Sequence, residues 1–535
     1  MRRISLKNIS ILTLIYFMAL RTELVSQTAS SSYYQNTSLN YLSIPILGIN
    51  SSAFGYRTLF FNTSVASDNT ATGCFALHKN TQGSFNTANG YFALYSNANT
   101  SNSLGNKNTA VGALSLRSNT NGNDNTAIGY ASLSSNIDGL ENTSTGAFAL
   151  LSNIHGSHNT TTGPYAMYYN NYLAGNDGHD NTATGDSTLM NNIGGNKNTA
   201  TGAKALYSNT YGSENVAFGY QALFNNFIDA SSNFGDGNVA VGSNALFSNL
   251  AGDLNVASGN QALFNNINGY YNVACGLNSL YQNTYGNHNT GIGIYSNYQN
   301  ATGLANVSIG NYASYNSTLD GNTAIGTSAL YSNYNGEYNT SLGALSTLQS
   351  TPGKFNTMLG AYSNVSGSYT NATAIGYGAV AISDDEIYLG NTSVNKIEST
   401  MGIIQSSDKR FKYNINENEV IGLDFINRLK PVVYNFDTKK YTEFIICNMP
   451  DSLKTVYLDN DFEESTRIRQ SGFIAQEVME ACMESKYDFN GVIKPRNKSE
   501  TYRLNYSLFV VPLVKAVQEQ QRMIDKLKEL NLKFQ

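Results

Sequence analysis

Between about residue 50 and residue 390 apolar and polar positions recur at a fixed spacing that is neither the 3.6 of an amphipathic helix nor the simple alternation of a long strand. The segments "NTATGCFALHKN" from Asn69, "NTANGYFALYSN" from Asn86, "NTAVGALSLRSN" from Asn108 and "NTAIGYASLSSN" from Asn125 share one frame, N-[TV]-A-x-G-x-x-A-L-x-x-N-x-x-G. Most steps between anchor glycines, as from Gly112 to Gly129 to Gly146, are 17 residues. Steps of 22 or 23 end at Gly112, Gly185 and Gly242 and read as a standard unit carrying a surface insertion. A unit this short cannot hold two helices. Its Thr or Val followed by Asn and Gly predicts a short strand and tight corners, so the array is expected to be an elongated β-solenoid. The leucine four residues after each glycine (Leu77, Leu94, Leu116, Leu133, Leu150 and their successors) is expected to stack in its core. Asn69, Asn86, Asn108 and Asn125 are expected to form a hydrogen-bonded ladder.

Composition narrows the function. Of 535 residues 13% are charged, the net charge is -5, and there is no basic run able to track phosphates, so nucleic acid is excluded as a partner. Cys74, Cys275, Cys447 and Cys482 lie far apart and read as buried or free thiols; neither a metal nor a cofactor is expected. The opening "MRRISLKNISILTLIYFMAL" places Arg2, Arg3 and Lys7 before an apolar run, the layout of a signal peptide over residues 1–27, with an N-terminal anchor as the alternative. Residues 28–49 read as a leader and residues 50–400 as the repeat array. Asp384, Asp385 and Glu386, in its degenerate last units, read as a solvated turn. The chain's 37 tyrosines, many within the array, supply amphipathic contact groups.

After Met401 the period stops and charged residues become frequent, so a second domain, small and α+β, is expected over residues 401–510. "IGLDFINRLKP" has helical spacing ending at a proline, "VVYNF" reads as a strand, and "GFIAQEVMEAC" as a strand turning into a helix. In the closing helix, residues 511–535 with a lead-in from Val510, the positions Val510, Val517 and Ile524 are seven apart, with Val514, Gln521 and Leu527 between them. That is a short heptad stripe able to join helices of several chains. Where the repetition ends stand Ser407 and Lys412. A serine hydroxyl needs a base, and a lysine serves as one only when burial or a neighbouring positive charge, here Arg410, favours its neutral form. A five-residue offset brings the two together only if the chain bends between them.

Two resemblances follow. "NTAIG" at Asn125 and Asn322, "NVAVG" at Asn238 and "NVSIG" at Asn306 resemble the head repeats of trimeric autotransporter adhesins, which implies a β-roll built by three chains, although the 17-residue unit here is longer than theirs. "SDKRFKYNI", "GFIAQEV" and "YRLNYSLFVVPLVKAVQEQ", in that order at the end of a fibrous array, resemble the intramolecular chaperone of endosialidases and tail spikes, the peptidase S74 family. This second resemblance implies a homotrimer, guided folding of the preceding array, and self-cleavage between Ser406 and Ser407 with Ser407 as nucleophile and Lys412 as its partner. Asp408, Arg410, Gln476 and Glu477 are candidate supporting residues. The signal-peptide layout implies a secreted protein, on a cell or virion surface, and the array reads either as an inert spacer or as a surface that meets a host receptor or glycan. A permanent trimerising tail and a glycan-degrading spike are the alternatives, the latter disfavoured by an acid-poor array without an evident carboxylate pair. Near-identical repeats leave register ambiguous, and a tail that first joins the chains would remove that ambiguity.

Overall fold

The computed structural model describes residues 37–39, 49–98, 104–170, 178–226, 235–347, 353–394, 396–398, 406–498 and 500–534. The expected signal peptide or anchor lies outside them, as does most of the leader. The chain divides into two compact units, Met1–Gly321 and Asn322–Gln535. The protein is mainly β, a parallel β-solenoid followed by a small α/β region that ends in a long helix.

In the first unit each coil contributes one three-residue strand whose middle side chain points inward, as in Thr126–Ile128, where Ala127 is buried between two more open neighbours. Successive strands pair in parallel without slippage, Thr126 opposite Thr143 and Thr143 opposite Thr160. The longer coils keep this register, with Thr87 opposite Thr109, Thr160 opposite Thr182 and Val216 opposite Val239. Residues 99–103, 171–177 and 227–234 of those coils lie outside the described residues.

Leu77, Leu94, Leu116, Leu133 and Leu150 are completely buried and share one continuous core. The expected ladder is present: Asn125 donates to Asn108 Oδ1 from its backbone N–H at 3.0 Å and from Nδ2 at 3.2 Å. A second ladder runs beside it, with Asn119 Nδ2 donating to Asn97 Oδ1 and Asn136 Nδ2 to Asn119 Oδ1, each at 2.8 Å. Both meet at one acceptor, since Asn125 Nδ2 and Asn136 Nδ2 bond to the Gly139 carbonyl at 2.8 and 3.0 Å. This explains the closing N-x-x-G of the repeat. A side chain at that glycine would also collide with the ladder: a Cβ on Gly139 would lie 2.4 Å from Asn136 Oδ1.

The backbone is less ordinary than the sequence suggests. Asp124, Ala131 and Leu133 all have positive φ (57°, 54° and 53°), and the same three positions repeat through most coils. For residues with a Cβ this left-handed region costs on the order of 1 kcal/mol each. Complete burial of a leucine contributes roughly 1.5–3 kcal/mol, and the two ladders satisfy the buried amides; both oppose the local cost. Outside the leucine row Tyr207, Phe224, Phe247, Phe264, Tyr281, Tyr298 and Tyr315 stack ring on ring at 5.0–5.2 Å between centroids.

The second unit opens with parallel strands of the same kind, Thr323–Ile325, Thr340–Leu342, Thr357–Leu359, Thr373–Ile375 and Ile387–Leu389, with Thr357 opposite Thr373 and Thr373 opposite Ile387. The asparagine ladder stops there, because Ala372 stands where the next asparagine would and only its backbone N–H bonds to Asn356 Oδ1, at 2.8 Å. The following region comprises α1 (Leu423–Ile426), β1 (Val432–Asn435), α2 (Thr438–Ile445), α3 (Asp451–Leu458), α4 (Glu463–Arg467), β2 (Arg469–Gly472), α5 (Ala475–Ser485), β3 (Val492–Ile493), β4 (Arg503–Leu504) and α6 (Val510–Phe534). β1 pairs antiparallel with β2, and β3 with β4. Phe425, Val478, Ala481, Cys482, Phe489, Val492 and Phe509 form its core. The helix expected over residues 421–431 is a single turn, because Leu429 and the residues before Pro431 leave the helix to enter β1.

One expectation fails at the junction. Glu386 is not a solvated turn residue: its side chain is 13% exposed, accepts from the backbone N–H of Ile382 and Ser383 at 2.8 and 3.0 Å, and pairs with Arg503 at 2.8 Å. Asp384 and Asp385 do remain exposed.

Candidate functional site

Ser407 and Lys412 meet because the chain between them turns. Asp408 caps a single 3-10 turn, Lys409–Phe411, by accepting from the Arg410 N–H at 2.8 Å, and the Lys412 N–H closes the turn on the Lys409 carbonyl at 3.1 Å. An aspartate ahead of a short polar segment is a strong local cap. With the chain reversed, Lys412 Nζ donates to Ser407 Oγ at 2.6 Å.

Arg410 does not face Lys412 as a free positive charge. Its Nε and Nη2 donate to Asp408 Oδ2 at 2.9 and 2.6 Å. These side-chain bonds, followed by the backbone bond, hold the Asp408 carboxyl below the usual carboxylate range, and the same contact raises the Arg410 guanidinium. The expectation that Arg410 would favour neutral Lys412 is therefore weakened by the carboxylate that neutralises it. Ser406, Ser407, Arg410 and Lys412 are all exposed, and Phe411, Tyr413 and Ile415 beside them are 77%, 86% and 62% exposed. Such a run of open apolar side chains is unusual on a surface that stays uncovered.

Gln476 and Glu477 open α5, Gln476 exposed and Glu477 partly so. The hydrogen bonds among the described residues do not join either to Ser407 or Lys412. The segment that follows the site is instead tied to the last helix. Lys515 Nζ donates to the Glu417 carbonyl at 3.1 Å, and the Leu423 N–H donates to Glu519 Oε2 at 2.7 Å. Nothing in the spacing of Lys515 and Glu519 marked these contacts beforehand, since they span the whole domain. Along α6, Pro512 and Ala516 are buried, whereas Val510, Val514, Val517, Ile524 and Leu527 are 44–64% exposed. Among the described residues no helix is long and apolar enough to cross a membrane.

A comparison with curated proteins finds no match. Residues 407–486, which begin at the serine of the Ser407–Lys412 contact, match the model of the Peptidase_S74 family, chaperone of endosialidase, and in this chain they follow a long β-solenoid.

Proposed function

We propose that this is an exported, tail-fibre-like homotrimer, displayed on a cell or virion surface, whose C-terminal region aligns three chains and then cuts itself from the array between Ser406 and Ser407. The observation that carries the reading is the 2.6 Å contact from Lys412 Nζ to Ser407 Oγ at the first residue of the family match. In the reaction Ser407 Oγ attacks the Ser406 carbonyl carbon, neutral Lys412 takes the hydroxyl proton, and the released Ser407 amine takes one in turn, leaving an ester that water opens. Assembly supports the same reading. The exposed Val510, Val514, Val517, Ile524 and Leu527 form a heptad stripe suited to neighbouring helices, and cover from other chains would supply the desolvation that neutral lysine requires. Cleavage is thus expected to follow assembly.

The exposure of Ser407 and Lys412 in the single chain favours a second reading, in which the tail is a permanent trimerising anchor. Intact mass and N-terminal sequencing separate the two. Self-cleavage yields a small fragment beginning Ser407-Asp408, absent from Ser407→Ala; wild-type chain that stays full length supports the anchor.

A further inference from the structure

The geometry points to a C-terminal fragment that stays seated on the last coils after the Ser406–Ser407 bond is cut, held by α2, α3 and Arg503 as a noncovalent end cap. This rests on the self-cleavage reading and changes its outcome: breaking the bond and losing the fragment become separate events.

Two apolar clusters among the described residues of this unit stand differently toward the cut. Phe425, Val478, Cys482, Phe489 and Phe509 all lie downstream of Ser407, so the fragment keeps a core of its own. The other cluster straddles the cut. Val380 and Ile382 of the last coils are 0% and 4% exposed, and they are covered by Ile445, Ile446, Met449 and Tyr457 of the fragment, at 6%, 1%, 5% and 7%. Polar contacts follow the same line. Arg503 pairs with Glu386 at 2.8 Å, Thr392 Oγ1 and Thr442 Oγ1 are 3.0 Å apart, and the Tyr457 hydroxyl donates to the Tyr362 carbonyl.

Cutting one bond in an exposed segment removes none of these contacts. It removes only the tether, and with it the high effective concentration that a short linker confers. Departure of the fragment would open Val380 and Ile382 to water and leave Glu386 without its counter-charge. A cap that remains avoids both.

The test uses full-length protein cut to completion, as judged on a denaturing gel, then passed over a size-exclusion column at about physiological salt. The fragment 407–535 is expected to elute with the upstream piece in equal amount. Arg503→Met and, independently, Ile446→Asp are expected to speed dissociation at least about tenfold, with circular dichroism checking that the fragment remains folded. Wild-type fragment eluting alone after complete cutting overturns the cap. Protein that never cuts defeats the self-cleavage reading alone; a protease site placed within residues 399–405 and cut from outside then decides the cap, co-elution supporting it and separation overturning it.

Discussion

Asp408 grips Arg410 three times, through the backbone N–H at 2.8 Å and through Nε and Nη2 at 2.9 and 2.6 Å, and the turn so formed is what sets Ser407 beside Lys412. The two residues thus position the candidate pair without a side-chain hydrogen bond to it. Asp408→Ala removes the cap and the clamp together and is expected to slow self-cleavage roughly ten- to a hundredfold, measured as loss of full-length chain over time. Asp408→Asn, which can still cap, should fall between. Because the Asp408 carboxyl is held below the usual carboxylate range, the turn is expected to persist above about pH 4 and to loosen only under stronger acid.

Lys412→Arg keeps a positive charge and a donor near Ser407 but cannot take a proton from it. Its expected phenotype is a chain that assembles and stays full length. Cleavage at the wild-type rate would remove Lys412 from the chemistry.

Gly129→Ala addresses the solenoid backbone. At Gly129, φ is 131° and a Cβ would stand 2.5 Å from the Gly146 carbonyl oxygen of the next coil. Neither the conformation nor the neighbour can yield, so a loss of at least about 2 kcal/mol is expected. Leu133→Ala, which empties part of the buried row, should cost about 2–5 kcal/mol. Denaturant unfolding of the full chain measures both.

Asn297 sits in the leucine row with no exposed surface, and among the described residues neither of its side-chain polar atoms has a hydrogen-bond partner. Its φ of 51° equals that of Leu280 one coil earlier, so the backbone already accepts leucine there. Asn297→Leu is expected to stabilise the chain by about 1–3 kcal/mol. A destabilised variant would show that the amide has a partner the row does not reveal.

Alkali should loosen the cap. Burial, then Tyr441 and Glu386, raises Tyr388; burial and Glu386 raise Tyr441 against Arg503 and the hydrogen bond with Tyr388, which act the other way; and burial, then Tyr377 and Tyr362, raises Tyr457. Groups raised in the docked state contribute fully below about pH 10, the free tyrosine value, and lose that contribution as pH climbs through their docked values. Dissociation of cut protein, followed by size exclusion, is expected to rise above about pH 10 and to be flat between about pH 6 and 9.

The repeat frame was legible because each of its positions has a fixed physical role, with the alanine inside the strand, the leucine in the stack, the first asparagine on its ladder and the glycine against the next coil. The left-handed Leu133 was not legible, since leucine carries no local preference for that region and adopts it only when neighbouring coils fill the space around it. The second ladder was visible as a repeated asparagine, but its shared acceptor at Gly139 depends on how the corner folds. At the site, Ser407 and Lys412 stood out by type and by the end of the period, and the capped turn joining them could be read only as a required bend.

By itself the sequence determined the repeat spacing and the solenoid, because those depend on interactions between residues a constant distance apart; it marked Ser407 and Lys412 as candidates and left their contact to the bend between them. Only the tertiary structure decided that Glu386 answers Arg503, that α2 and α3 cover Val380 and Ile382, and that the face around Lys412 stays open in one chain. Those contacts join residues with no common period, and burial, which determines whether a charge is paired or solvated, belongs to the folded surface and not to any local run of residues.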